Sequence, residues 1–302
     1  MIIGLVGCGR WGRNILRDLV SLGAEVVVCT PESSDREQAL GGGARAVHAT
    51  LEPLLGAARG YVVASSSTTH AEIVERLLET DAPIFVEKPF TCDRDSAQRL
   101  AARGDGRLFV MHKWRYHPGV EGLARLAREG TLGEIHTVHT VRVGWGPWGR
   151  DTDASWVLLP HDLSIVLAIL GHLPEVRSAV LTGSAPWTGS LLATLGGAGA
   201  CDALMEIGIT SPENRRAVTV VGSRATAHLS GSYAKAILLQ AGAPGEGADC
   251  REIPADGPLP LWQELKVFID HLRGGPAPIT NASEGALVVD RIATIRSMAG
   301  LG

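Results

Sequence analysis

Three stretches of the chain carry residue types that do chemistry. Gly7-Cys8-Gly9-Arg10-Trp11-Gly12 fits the spacing GxGxxG directly after the apolar run Ile2 to Val6. In that context the first glycine turns the chain, and the second lets the backbone approach a pyrophosphate. The third lets a following helix pack close to the strand. The helix start would add free N–H groups and a positive dipole end. The reading is a dinucleotide site at Gly7, Gly9, Arg10, Trp11 and Gly12. Glu87-Lys88-Pro89 follows a second apolar run, Pro83 to Val86. Lysine is rare here: Lys88, Lys113, Lys235 and Lys266 are the only four among 28 basic residues. Its pKa is tunable where that of arginine is not, so these four form a short list. Finally, four of the seven tryptophans (Trp114, Trp145, Trp148 and Trp156) fall close together, interleaved with Arg115, Tyr116, His117, Arg142 and Arg150. Aromatic faces suit the C–H faces of sugar rings, and arginine forks suit carboxylate or phosphate.

The elements that must position these groups are legible as periodicity. Residues 1 to about 112 alternate short β runs with amphipathic stretches: strands at 2–6, 25–29, 61–64, 83–86 and 108–111, helices at 11–22, 69–79 and 93–103. That alternation predicts a doubly wound parallel sheet of Rossmann type, with its ligand crevice at the strands' carboxyl ends. The pattern then changes. Helices at 120–128 and 158–170 and strands at 135–143, 176–181, 191–195, 203–209, 217–221, 225–229 and 236–240 predict an α+β domain with a large, mainly antiparallel sheet. Residues 241–258 read as a Gly/Pro-rich loop, and helices at 262–273 and 284–298 follow. The expected division is 1–116 for the dinucleotide domain and 117–302 for a substrate-binding and oligomerisation domain.

Composition excludes several classes. With 28 basic and 32 acidic residues the net charge is −4, no footprint for nucleic acid or an anionic membrane surface. No apolar run approaches the roughly 20 residues of a membrane span. The five cysteines are odd in number and widely spaced, with neither zinc spacing nor a disulfide framework. The expectation is a reduced, cytoplasmic, soluble protein without a metal site. NAD usage calls for a carboxylate at the end of the second strand. Thr30 stands there instead, followed by Glu32, Ser33, Ser34 and Arg36. Ser33, Ser34 and Arg36 can donate to a 2′-phosphate, which favours NADP over NAD, while Glu32 can replace the missing acid.

Taken together, GCGRWG, Ser65 to His70 after a central strand, and the Glu87-Lys88-Pro89 turn resemble the Gfo/Idh/MocA oxidoreductases. The stretch 111–118 is similar to that family's crossover between domains. The stretch 156–165 is similar to its catalytic-histidine helix. The resemblance spans the chain and is nearest the branch acting on sugars. It implies Lys88 as catalytic lysine at the reacting oxygen, oriented by Glu87, with His161 as acid/base partner. It places Ser65, Ser66, His70 and Glu87 at the cofactor, and it implies a bond before Pro89 that is often cis. Lys88, Arg115, Tyr116, Trp145, Trp148 and His161 are the substrate-side expectation, for a small sugar-like ligand. A homodimer or homotetramer through the C-terminal sheet is expected.

One position departs from the family pattern. The acid usually found one helical turn before the histidine is Val157 here. Either Lys88 and His161 suffice, or Asp153 or Asp162 stands in, or turnover is weak. Two other functions compete with a sugar or cyclitol oxidoreductase: a cofactor-binding sensor or partner protein, and a glycoside hydrolase or epimerase with a tightly held cofactor.

Overall fold

Apolar runs of four or five residues form the first sheet because both of its faces are buried. In the computed structural model, which describes all residues except 147–150, 184–186, 198–201, 243–248 and 302, the chain begins with β1 (Ile2–Val6), α1 (Gly12–Ser21), β2 (Glu25–Cys29), α2 (Ser33–Gly41) and β3 (Ala46–His48). It continues with β4 (Gly60–Val63), α3 (His70–Leu77), β5 (Ile84–Glu87), α4 (Arg94–Arg103) and β6 (Leu108–Met111). The strands pair in parallel in the order β3-β2-β1-β4-β5-β6. The order reverses at β1, so the crevice for a ligand lies beyond the carboxyl ends of β1 and β4. The short β3 was not expected from the sequence.

The elements that follow are α5 (Pro118–Arg128), β7 (Ile135–Trp145), α6 (Ala154–Leu170), β8 (Val176–Leu181), β9 (Ser190–Leu195), β10 (Asp202–Gly208), β11 (Thr210–Gly222), β12 (Ala225–Leu229), β13 (Ala236–Ala241) and β14 (Asp249–Pro254). They build an eight-stranded sheet in the order β14-β13-β12-β11-β7-β10-β9-β8. Every pairing is antiparallel except β7 with β10. β14 corrects the expected loop at 241–258: part of it pairs along β13 as an edge strand. α6 opens four residues before the expected start, because Asp153 caps it by accepting from the Ser155 N–H at 2.9 Å.

The chain closes with α7 (Pro260–Leu272) and α8 (Ala282–Met298). Contacts divide the chain into two units, Met1–Lys113 with Leu259–Val289 and Trp114–Pro258 with Asp290–Gly302. The first unit therefore takes α7 and the start of α8 as well as the Rossmann sheet. α7 packs its apolar face, Leu261, Leu265, Phe268, Ile269 and Leu272, into a core with Ile15, Leu16, Leu19, Phe85, Phe109 and Met111. The Phe85 and Phe268 rings lie 5.1 Å apart. Among the described residues no helix is long and apolar enough to cross a membrane.

Candidate functional site

At the carboxyl end of β1 the chain turns through Gly7, whose φ of +91° is left-handed. A Cβ there would lie 2.5 Å from the Ser65 backbone nitrogen, and one on Gly12 would lie 2.3 Å from the Gly7 carbonyl oxygen. Both positions bring backbone against backbone. Gly9 is different: the nearest heavy atom to a Cβ there is Asp35 Oδ2, at 3.9 Å. The chain's own packing does not require glycine at position 9, whereas close approach of a pyrophosphate does. The residues present therefore fit a dinucleotide, with its phosphates on the N–H groups that open α1. Arg10 is exposed beside them. Buried Cys8 is no nucleophile: burial, helped by the Asp35 carboxylate and opposed by Arg13, pushes its thiol up to about 11.

After β2, Thr30 is buried, and Arg36 Nη1 donates to the carbonyls of Thr30, at 3.0 Å, and Pro31. The guanidinium is thereby held at the loop where a ribose or 2′-phosphate would lie in this fold. Ser33 is exposed at the start of α2. Asp35, unnoticed in the sequence, pairs with Arg13 at 3.3 Å beside the phosphate turn.

The Lys88 turn shares the same sheet edge. Glu87 is 6% exposed, and its two carboxylate oxygens are both engaged. Oε1 accepts from Trp11 Nε1, and Oε2 accepts from the Lys88 backbone N–H at 2.9 Å. One carboxylate thus joins the GxGxxG turn to the lysine turn. Lys88 is half-buried, and its bond to Pro89 is cis. His70 is fully enclosed; its Nδ1 lies 2.8 Å from the Pro89 carbonyl oxygen and its Nε2 lies 3.3 Å from that of Ser65. It braces the loops after β4 and β5 against each other. Ser65 Oγ also accepts from Thr69 Oγ1 at 2.9 Å, while Ser66 is exposed. Lys113 Nζ sits 4.5 Å from the centre of the Trp11 ring, a cation–π contact. Arg10, Trp11, Ser65, Ser66, His70, Glu87 and Lys88 thus line one edge of the first unit.

In the second unit, His161 is 9% exposed on α6, its ring 6.5 Å from that of Trp114. Trp114 is itself core: the His117 ring stacks on it at 4.9 Å and the Arg142 guanidinium lies 4.6 Å from its centre. Arg142 Nε donates to both oxygens of buried Asp162 at 3.1 Å. Burial pushes the Asp162 carboxyl up, against the pull of Arg142. Asp153 caps α6 and pairs with Arg296. Both acids considered as stand-ins for the residue missing at Val157 therefore hold structural partners. Tyr116 is buried, Arg115 half-buried, and Trp145 is 74% exposed at the end of β7. Trp148 and Arg150 lie outside the described residues. Sequence reading also missed Glu264 on α7, in the first unit, where it is fully buried. Its signal was present: 261, 264, 265 and 268 share one apolar helix face.

Residues 1–110 match the model of an oxidoreductase family with an NAD-binding Rossmann fold, Gfo/Idh/MocA. The chain is 31% identical over 131 residues, 41% of its length, to a myo-inositol dehydrogenase of Streptomyces leeuwenhoekii, of which that stretch is 40%. It is 24% identical over 183 residues, 59% of its length, to a UDP-N-acetylglucosamine 3-dehydrogenase of Acidithiobacillus ferrooxidans, of which that stretch is 57%. The chain is thus matched over 40% and 57% of those two relatives' lengths. The solved structure of the second enzyme superposes with a TM-score of 0.87 at 19% identity, covering 100% of this chain and 98% of that one. A levoglucosan dehydrogenase in complex with NADH and levoglucosan superposes equally well, at 0.87 and 14% identity, covering 100% and 97%. At such identities these structures speak to the fold.

Proposed function

We propose that the chain, whose residues 1–110 match the Gfo/Idh/MocA family model, is an NAD(P)-dependent oxidoreductase acting on a secondary alcohol or ketone of a sugar, sugar derivative or cyclitol. The observation that carries the reading is the single edge holding both the phosphate turn and Lys88, joined by the Glu87–Trp11 bond. The substrate class follows the dehydrogenases named above. Bound nicotinamide would supply or accept the hydride. The chain's own task is the proton at the substrate oxygen. Lys88 is assigned to that oxygen, from its half-buried place on the edge that carries the phosphate turn. His161 on α6 is assigned as its acid/base partner, imidazole being able both to give and to take a proton. Arg36 supports NADP over NAD, because its guanidinium is already fixed at the end of β2. Self-association through the large sheet is part of the same proposal.

Lys88→Met tests the assignment. The variant should bind NAD(P)H about as the parent does while losing about 10²–10⁴ in the chemical step, the usual worth of acid–base catalysis. Turnover at the parent rate would reject it. A second reading, a dinucleotide-binding protein without turnover, is favoured by one observation: Val157 leaves no acid one turn before His161, and Asp153 and Asp162 are engaged elsewhere. Dinucleotide binding with no oxidation of any polyol or sugar tested would support that reading.

A further inference from the structure

Among the described residues, Glu264 is the one acidic side chain that is fully enclosed with no hydrogen-bond partner on either carboxyl oxygen. Its place follows from the packing of α7 on β5. The Phe268 ring packs against that of Phe85 at a tilt of 33°. One turn back along α7, about 6 Å, is Glu264. Two residues forward along β5, about 6.7 Å, is Glu87 on the same face as Phe85. Leu272, one turn further along α7, meets Gly60 at the amino end of β4, the parallel neighbour of β5, so going back along α7 leads toward the carboxyl ends of the strands and the two carboxyls share a buried layer at the dinucleotide edge.

The charged groups around Glu264 come from several elements. β5 brings Glu87, and Lys113 follows β6; these two act on it electrostatically. His112 is buried beside Lys113. On α1, packed against α7, Asp18 is paired with Arg17 and Arg13 with Asp35. On α7 itself, Lys266 pairs with Asp270, and His271 lies against Phe109. Burial first, then the Glu87 charge, push the Glu264 carboxyl well up, with Lys113 opposing. A carboxylate is favoured where N–H donors reach it, and two neighbouring carboxyls resist ionising together. Glu87 has two such donors.

We infer that Glu87 and Glu264 work as a coupled carboxyl pair holding one proton and one negative charge, with Glu87 the carboxylate and Glu264 the neutral acid. Glu264 is then a positioning residue: its neutrality keeps Glu87 charged, and Glu87 holds Trp11 in the phosphate turn and Lys88 by its backbone. The importance of that turn rests on the dinucleotide reading above; the proton count does not. Such a pair titrates as a unit.

Two measurements test the inference. The first is urea unfolding of the full chain and of Glu264→Gln between pH 6 and 8. An unfolded glutamate is ionised there, whereas Glu264 keeps its proton in the fold. The unfolding constant of the parent should therefore rise tenfold per pH unit relative to the variant, the signature of one proton taken up on folding. Parallel profiles would overturn the inference. The second needs no Glu264 variant. In protein labelled with carbon-13 at the glutamate carboxyl, one resonance should stay at its protonated position at pH 7, and Glu87→Gln should lower the pH at which it moves. Absence of that resonance, or a titration that Glu87→Gln leaves where it was, would overturn the pairing. A parent protein that showed the proton but bound no NADH would instead sink the dinucleotide reading alone.

Discussion

Glycine 9 separates folding from binding. In the structure a Cβ at this position finds open space, with one atom at 3.9 Å, while a Cβ at Gly12 would stand 2.3 Å from a backbone oxygen. Gly9→Ala should therefore fold as well as the parent, and can gain about 0.4–1 kcal/mol through the less flexible unfolded chain. Gly12→Ala must push α1 off β1, and overpacking of that kind costs about 1–3 kcal/mol or more. For NADH the order changes. The added methyl at position 9 occupies the space a pyrophosphate needs, and each lost 1.4 kcal/mol is about tenfold in affinity. The expected result for Gly9→Ala is a urea midpoint no lower than that of the parent with an NADH dissociation constant raised at least about tenfold. Nicotinamide fluorescence and urea unfolding, run on the same preparations, give both numbers. NADH binding by Gly9→Ala at the parent affinity would refute the reasoning. So would a loss of stability equal to that of Gly12→Ala, since it would mean that the glycine serves the fold.

Other perturbations follow from the same geometry. Arg36→Ala removes the guanidinium held at the Thr30 carbonyl; NADPH affinity should fall about tenfold more than NADH affinity, the scale of one charge-assisted bond, and equal losses in parallel titrations would remove the 2′-phosphate argument. Asp162→Asn strips the counter-charge from buried Arg142. Breaking a buried pair from one side costs about 3–5 kcal/mol, so a urea midpoint within error of the parent would show that the pair is not stabilising the second unit.

The parallel sheet was readable because its strands are short apolar runs buried on both faces, each followed by an amphipathic helix. β3 escaped because three half-buried residues make no pattern. β14 escaped because an edge strand such as Asp249–Pro254, mostly exposed, has no apolar alternation to show. The attachment of α7 to the first unit is a product of long-range packing around Phe268, which no local window contains. At the site, the glycine turn and Lys88 stood out by spacing and by scarcity. The Glu87–Trp11 bond spans 76 residues and becomes visible only when β1 and β5 lie in one sheet. The partners of Asp153 and Asp162 were equally hidden: Arg296 and Arg142 are distant in sequence, and only the fold shows that both acids are taken.

The most direct test is a crystal structure of the chain grown with NADH. The account predicts the pyrophosphate against the N–H groups of residues 9–12, with the nicotinamide ring lying beside the Lys88 ammonium. A dinucleotide seated elsewhere, or a Lys88 side chain turned away from the ring into solvent, would contradict it.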